Sequence, residues 1–164
     1  MAMKNETRTR RQMIGGSTVL LGGLTLVSAN AQSAKSATTI HQEVDLRASP
    51  SQIYELLLDS KQFSAFTKDS AEIHREAGGA FKLFGGRVEG RNIELAPNQR
   101  IVQAWRPASW APGVYSIARF ELKAQGAGTR LVLDHTGFAE GLRETLDEGW
   151  HEHYWEPMQK YLRQ

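Results

Sequence analysis

Between residues 71 and 136 the apolar residues recur with a period of two, and turn residues interrupt the pattern at short intervals. The joints are Gly78-Gly79, Gly85-Gly86, Pro97-Asn98 and Gln125-Gly126-Ala127-Gly128. Alternation in short segments marks half-buried strands, and joints this small connect only antiparallel neighbours. Strands are therefore predicted near 71–76, 80–84, 87–95, 99–106, 114–123 and 130–136, with Trp110-Ala111-Pro112-Gly113 as a longer connection. A sheet of this extent with one apolar face has to be covered.

The flanking segments supply a further strand and the cover. Ile40, Val44 and Leu46 alternate with His41, Glu43 and Asp45, which predicts a strand over 39–46. In Ser49-Pro50-Ser51-Gln52, Ser49 suits an N-cap, Pro50 the first helical position and Gln52 a capping box. Ile53, Tyr54, Leu57 and Leu58 continue with helical spacing, and Ser60 can cap a second short helix through Phe63 and Phe66. Near the end, Leu142, Leu146, Trp150, His153 or Tyr154, Pro157 or Met158, and Tyr161 recur every three or four residues, as in a long amphipathic helix. Gly149 is read as permitting close approach to the sheet, and Pro157 as kinking the helix. The order is strand, two short helices, six strands and a long helix, an α+β fold. A curved sheet gripping the last helix leaves a space between them, mouthed by the short helices and loops. Such a space is a natural small-molecule site.

The amino-terminal segment has a different character. Arg10 and Arg11 precede an uncharged, mildly apolar stretch that ends in Ala29-Asn30-Ala31. This is the pattern of a cleavable twin-arginine signal, cut after Ala31. A membrane anchor is the alternative, but the strongly apolar part is shorter than the ~20 residues a span needs. The expected organisation is a signal peptide over 1–31, a loose lead-in over 32–38 and one domain over 39–164. The expected location is periplasmic or otherwise extracytoplasmic, with the twin-arginine export machinery as a partner during targeting.

The signal also alters the charge balance. Residues 1–31 hold Lys4, Arg8, Arg10 and Arg11 against Glu6, a net +3, so the chain's +2 leaves −1 for the remainder. No basic patch then argues for nucleic acid. The absence of cysteine excludes disulfides, thiolate ligands and a Cys nucleophile.

Few residues suggest chemistry. His41 and His74 are expected to face solvent. His151 and His153 are two apart on a helix, which is not the zinc-binding His-Glu-x-x-His spacing. His135 continues the apolar face of Leu131 and Leu133, so it points toward the helix carrying Trp150. It is either a core histidine held by a hydrogen bond or a polar anchor able to orient a ligand or move a proton. Glu89 and Glu94 have opposite strand parity and are expected on opposite faces. Glu156 is expected to support the kink or to pair with a basic strand residue. No Gly-x-Ser-x-Gly elbow follows the signal, and the glycine pairs join strands instead of opening phosphate-binding helices. No cofactor or metal is expected. Phe63, Phe66, Trp105, Trp150 and Tyr154, with His135, are the candidate cavity lining.

Several runs carry a family likeness. They are 85–95 (Gly-Gly-Arg-Val-Glu-Gly-Arg-Asn-Ile-Glu-Leu), 100–106 (Arg-Ile-Val-Gln-Ala-Trp-Arg), Thr129-Arg130-Leu131, His135-Thr136-Gly137-Phe138 and 149–158 (Gly-Trp-His-Glu-His-Tyr-Trp-Glu-Pro-Met). Together they resemble the START-like (SRPBCC) superfamily. The subgroup is similar to the C-terminal domain of the activator of the ninety-kilodalton heat-shock chaperone's ATPase (AHSA-type). The resemblance covers about residues 39–162 and implies a helix-grip fold with a pocket between sheet and long helix. Its members include hydrophobic-ligand carriers, cyclases, hydrolases and stress-response proteins. The first expectation is a non-catalytic domain binding a small hydrophobic or amphipathic ligand. The alternatives are a cavity enzyme using His135 as acid–base, and a protein-interaction module like the chaperone activator.

Overall fold

The structure, a computed structural model, describes residues 38–164. Arg10, Arg11, Ala29, Ala31 and the lead-in up to residue 37 lie outside the described residues.

Strand β1 (Thr39–Leu46) alternates buried and exposed residues, as its sequence demands. Helix α1 (Pro50–Leu58) starts on Ser49, whose hydroxyl accepts from the backbone N–H of Gln52. Helix α2 (Ser60–Thr67) is capped by Asp59, which accepts from the N–H of Gln62 at 2.9 Å. Ser60, the expected cap, falls inside the first turn, and its hydroxyl instead accepts from the N–H of Ile73 at 2.9 Å. It thereby ties the sheet edge to the helix.

Six strands follow: β2 (Glu72–Ile73), β3 (Ala80–Leu83), β4 (Val88–Ala96), β5 (Arg100–Pro107), β6 (Ser116–Gln125) and β7 (Gly128–Thr136). They form one curved antiparallel sheet with β1, in the order β1-β7-β6-β5-β4-β3-β2. The edge strand β2 is shorter than its alternation suggests. Its continuation turns away because the side-chain amide of Asn92 takes the carbonyl of His74 at 3.0 Å, and the N–H of Gly78 bonds to Asn92 O at 2.7 Å.

Strand β4 departs from simple alternation. Asn92 pairs with Gln103 but Glu94 pairs with Val102, so Ile93 is an extra, bulged residue. A bulge resets the alternation by one residue. Glu89 and Glu94 therefore share the outer face, contrary to the sequence reading. They remain separate because each has its own arginine, Arg106 for Glu89 and Arg100 for Glu94.

The terminal helix lies in the concave face in three parts. Helix α3 (Arg143–Trp150) runs into one π-helical turn (His151–Trp155), and α4 (Glu156–Tyr161) completes it. The N–H of Glu156 bonds to the carbonyl of His151, five residues back. A proline at 157 would press on the carbonyl of residue 153 in a regular α-helix. The wide turn is where this crowding is relieved. The extra residue turns both Tyr154 and Trp155 inward, and they join Trp150 and Met158 in the core. Glu156 is exposed and, among the described residues, makes no ion pair with a strand.

Candidate functional site

The site begins with the ring cluster that seats the helix. Trp150 lies 4.4 Å from Tyr154, 5.3 Å from Trp105, 5.5 Å from His135 and 5.7 Å from Phe120, centroid to centroid. Tilted and edge-on arrangements of this kind add to simple area burial. Trp105 comes from β5, Phe120 from β6 and His135 from β7, so three strands converge on one helical residue.

Beside this cluster a half-open cavity of about 280 Å³ separates sheet from helix. Its wall is Val88 and Trp105 from the sheet, and Leu146, Trp150 and Tyr154 from the helix. The turn Phe84–Gly86 and Arg87 form one lip, with Thr145 and His153 on the helical side. Gly149 also faces the cavity. A Cβ built on it would meet nothing closer than its own helix's His153 Cδ2 at 4.0 Å. Its role is thus to leave an opening, not to allow the close approach expected from sequence.

Of the candidate lining, Trp105, Trp150 and Tyr154 come together at this cavity, and Phe63, Phe66 and His135 do not line it. Phe63 is sealed behind Phe84, whose ring sits 5.3 Å away, and packs on Phe66 at 4.9 Å. Phe84 reaches that place because its backbone is left-handed (φ 54°), as are Gly85 (67°) and Gly86 (91°). The Gly-Gly pair signalled a turn, but not that the preceding phenylalanine would share its handedness. Phe84, Arg87, Val88, Thr145, Leu146, Gly149 and His153 also line the cavity and stand outside that candidate set.

His135 is 0% exposed. The indole N–H of Trp150 donates to its Nδ1 at 3.0 Å. That bond leaves the proton of the neutral ring on Nε2, 2.7 Å from the Ser116 hydroxyl. The Ser116 hydroxyl in turn donates to the carbonyl of Trp105 at 2.9 Å. The chain has one direction and requires a neutral ring. Burial lowers the His135 pKa to about 4. With both nitrogens engaged by protein groups, the ring has no free atom for a substrate. Burial likewise pushes the Tyr154 hydroxyl well above its usual range, against a lesser lowering by the Trp105 N–H that donates to it at 3.4 Å.

The remaining histidines lie at the surface. His41 Nδ1 is 2.6 Å from Asp134, and this hydrogen bond raises its pKa. His74 is exposed, with Glu72 at 3.5 Å.

Seven antiparallel strands closed round a terminal helix, with a half-open apolar groove between them, define a helix-grip domain. The chain belongs to the family described as Activator of Hsp90 ATPase homolog 1-like protein, whose model matches residues 47–163. It is similar to the activator of 90 kDa heat shock protein ATPase homolog of Dictyostelium discoideum, 31% identical over 113 residues, covering 68% of this chain and 30% of the relative. The human homolog 1 is 28% identical over 108 residues, covering 66% of this chain and 32% of the relative. The chain thus spans about a third of the length of these relatives.

Among solved structures, the fold is shared with PFC0360w, an HSP90 activator from Plasmodium falciparum (TM-score 0.72, 21% identity, 77% of this chain and 96% of that one). It is also shared with CalU16 from Micromonospora echinospora (TM-score 0.65, 18% identity, 76% and 75%).

Proposed function

We propose that this domain is a non-catalytic binding module that holds a small apolar or amphipathic molecule in the groove between sheet and terminal helix. The observation that carries the reading is the groove itself: about 280 Å³, open on one side and walled by Trp105, Leu146, Trp150 and Tyr154. Ligand pockets are typically apolar, roughly 300–1,000 Å³ and equipped with a few polar groups. This one falls just below that range, which favours a compact guest. An enzymatic alternative based on His135 finds no support in its bonding, since both ring nitrogens are engaged.

Titration with a library of small aromatic and medium-chain aliphatic compounds tests the reading, with Trp emission and calorimetry as readouts. Saturable binding by the wild type, abolished in Gly149→Leu, is expected. A library in which nothing binds sinks it.

In this reading the mature domain works outside the cytoplasm, as the Arg10-Arg11 leader suggests. Fractionation and intact mass of the protein from an expressing cell test this. A chain retaining residues 1–31 in the cytoplasmic fraction would refute export.

A second reading is a protein-interaction module. It is favoured by relatives that are activators of the 90 kDa heat shock protein ATPase, and by exposed apolar residues: Ile93 (49%) and Ile117 (37%) on the outer sheet face, with Tyr115 (42%) just before β6. A partner cross-linked to the wild type but not to Ile117→Asp would support it.

A further inference from the structure

We propose that the groove selects an amphipathic carboxylate, with its apolar body inside and its carboxylate at the lip on Arg87. This rests on the groove reading above and adds the polarity of the ligand.

The groove is chemically lopsided. Its floor is aromatic and aliphatic. Among the described residues, the charged or basic side chains that line it are Arg87 and His153, and no Asp or Glu lines it. Both basic groups flank one ring: the Arg87 guanidinium carbon lies 6.0 Å from the Phe84 centroid, and the His153 ring lies 6.0 Å from it on centroids. A guest lying on the apolar floor therefore meets basic groups as it emerges.

The backbone fixes this lip. Phe84, Gly85 and Gly86 are left-handed in succession. A bulky residue in that conformation costs about 1–3 kcal/mol and persists only where packing enforces it. Phe84 is held by edge-on contacts with Phe63 at 5.3 Å and Tyr154 at 5.2 Å. The reversal delivers Arg87 to the start of β4, directly before the wall residue Val88.

Arg87 is only partly engaged: its Nη2 donates to Asp69 at 2.7 Å, and among the described residues its Nε and Nη1 make no hydrogen bond. Guanidinium forks match carboxylates in a two-point geometry. Asp69 already shows a carboxylate on this fork. The pair is solvent-exposed, with side-chain exposures of 68% and 42%. Exposed pairs contribute little to stability, so a second carboxylate can share or displace Asp69 at small cost. A cationic ligand would be repelled at the lip, and a neutral one would leave the fork unused.

The test compares 4-phenylbutyrate with its neutral isostere 4-phenylbutyramide by calorimetry at low ionic strength. The wild type is expected to bind the acid about threefold more tightly than the amide, the scale of an exposed ion pair. Arg87→Gln should erase the preference while leaving amide affinity unchanged. Asp69→Asn should strengthen acid binding alone. Equal affinities in the wild type, or a preference that survives in Arg87→Gln, overturn the inference and leave the groove reading standing. Binding of neither probe to the wild type overturns both.

Discussion

The indole N–H of Trp155 donates to Oε1 of Gln42 at 2.6 Å, and the same glutamine's Nε2 donates to Asp147, to its carbonyl at 3.0 Å and its carboxylate at 2.9 Å. One side chain of β1, 7% exposed, thus bridges helix α3 and the π turn. The bridge is what docks the helix in a single rotation, because Trp155 faces the sheet only through that wide turn.

Gln42→Leu should remove this lock. It strands the Trp155 N–H in the core, and a buried unsatisfied donor costs about 1–3 kcal/mol. Urea denaturation should show a lower midpoint, with unchanged slope if the fold persists.

Trp150→Ala should cost about 3–5 kcal/mol, the usual range for a buried large aromatic. Trp150 is 2% exposed and rests against rings from β5, β6 and β7. Its one-sided border on the groove places the expected loss toward the lower end. Chemical denaturation measures it.

Two glycine-to-alanine changes should act in opposite directions. At Gly90 a Cβ would fall 2.0 Å from the Ala104 carbonyl oxygen and 2.4 Å from Phe81 Cζ. Gly90→Ala should therefore destabilise by about 1–3 kcal/mol through overpacking. At Gly149 the space is open, and alanine is the better helix former. Gly149→Ala should stabilise by about 0.5–1 kcal/mol. Thermal melts of the two variants would show the opposite shifts.

The buried His135 makes stability depend on pH. Its folded pKa is about 4, held down by burial, against an ordinary value of 6.5. The unfolded chain therefore takes up a proton first as pH falls. The stability linked to the neutral ring is present above about pH 6.5 and is lost progressively down to about pH 4. The full loss is about 3 kcal/mol, at about 1.4 kcal/mol per pKa unit. His135→Phe should flatten the stability profile within this window, even though it lowers stability throughout by stranding the Trp150 N–H. A profile as steep as the wild type's would show that His135 is not the group responsible.

At the surface, Asp134→Asn should lower the His41 pKa, since the hydrogen bond that the ring donates to Asp134 is the main cause of its rise. Histidine NMR titration reads the change directly. The raised pKa adds stability that is present below the ordinary histidine value and lost as pH rises through the folded one.

Local spacing carried most of the architecture. Alternation in 39–46 and 80–136 gave the strands, and the Gly and Pro-Asn joints gave their antiparallel order. Ser49-Pro50 marked a helix start, and the inward face of His135 followed from its parity with Leu131 and Leu133. The candidate site was legible only in part. Trp105, Trp150 and Tyr154 could be found by periodicity, whereas Phe63 and Phe66 were assigned to a mouth that lies elsewhere.

The differences share a physical cause. The bulge at Ile93, the left-handed Phe84 and the π turn over His151–Trp155 each add or reverse one residue's worth of direction. Short-range patterns fix which residues prefer a strand or helix and which side is apolar, because those preferences act over one or two turns of chain. Where a single residue breaks the repeat depends on partners far away in sequence: Gln103 and Val102 for the bulge, Phe63 and Tyr154 for Phe84, Gln42 for Trp155. The sequence thus determined the sheet, its order and its helical cover. Only tertiary packing decided which rings turn inward and where the groove opens.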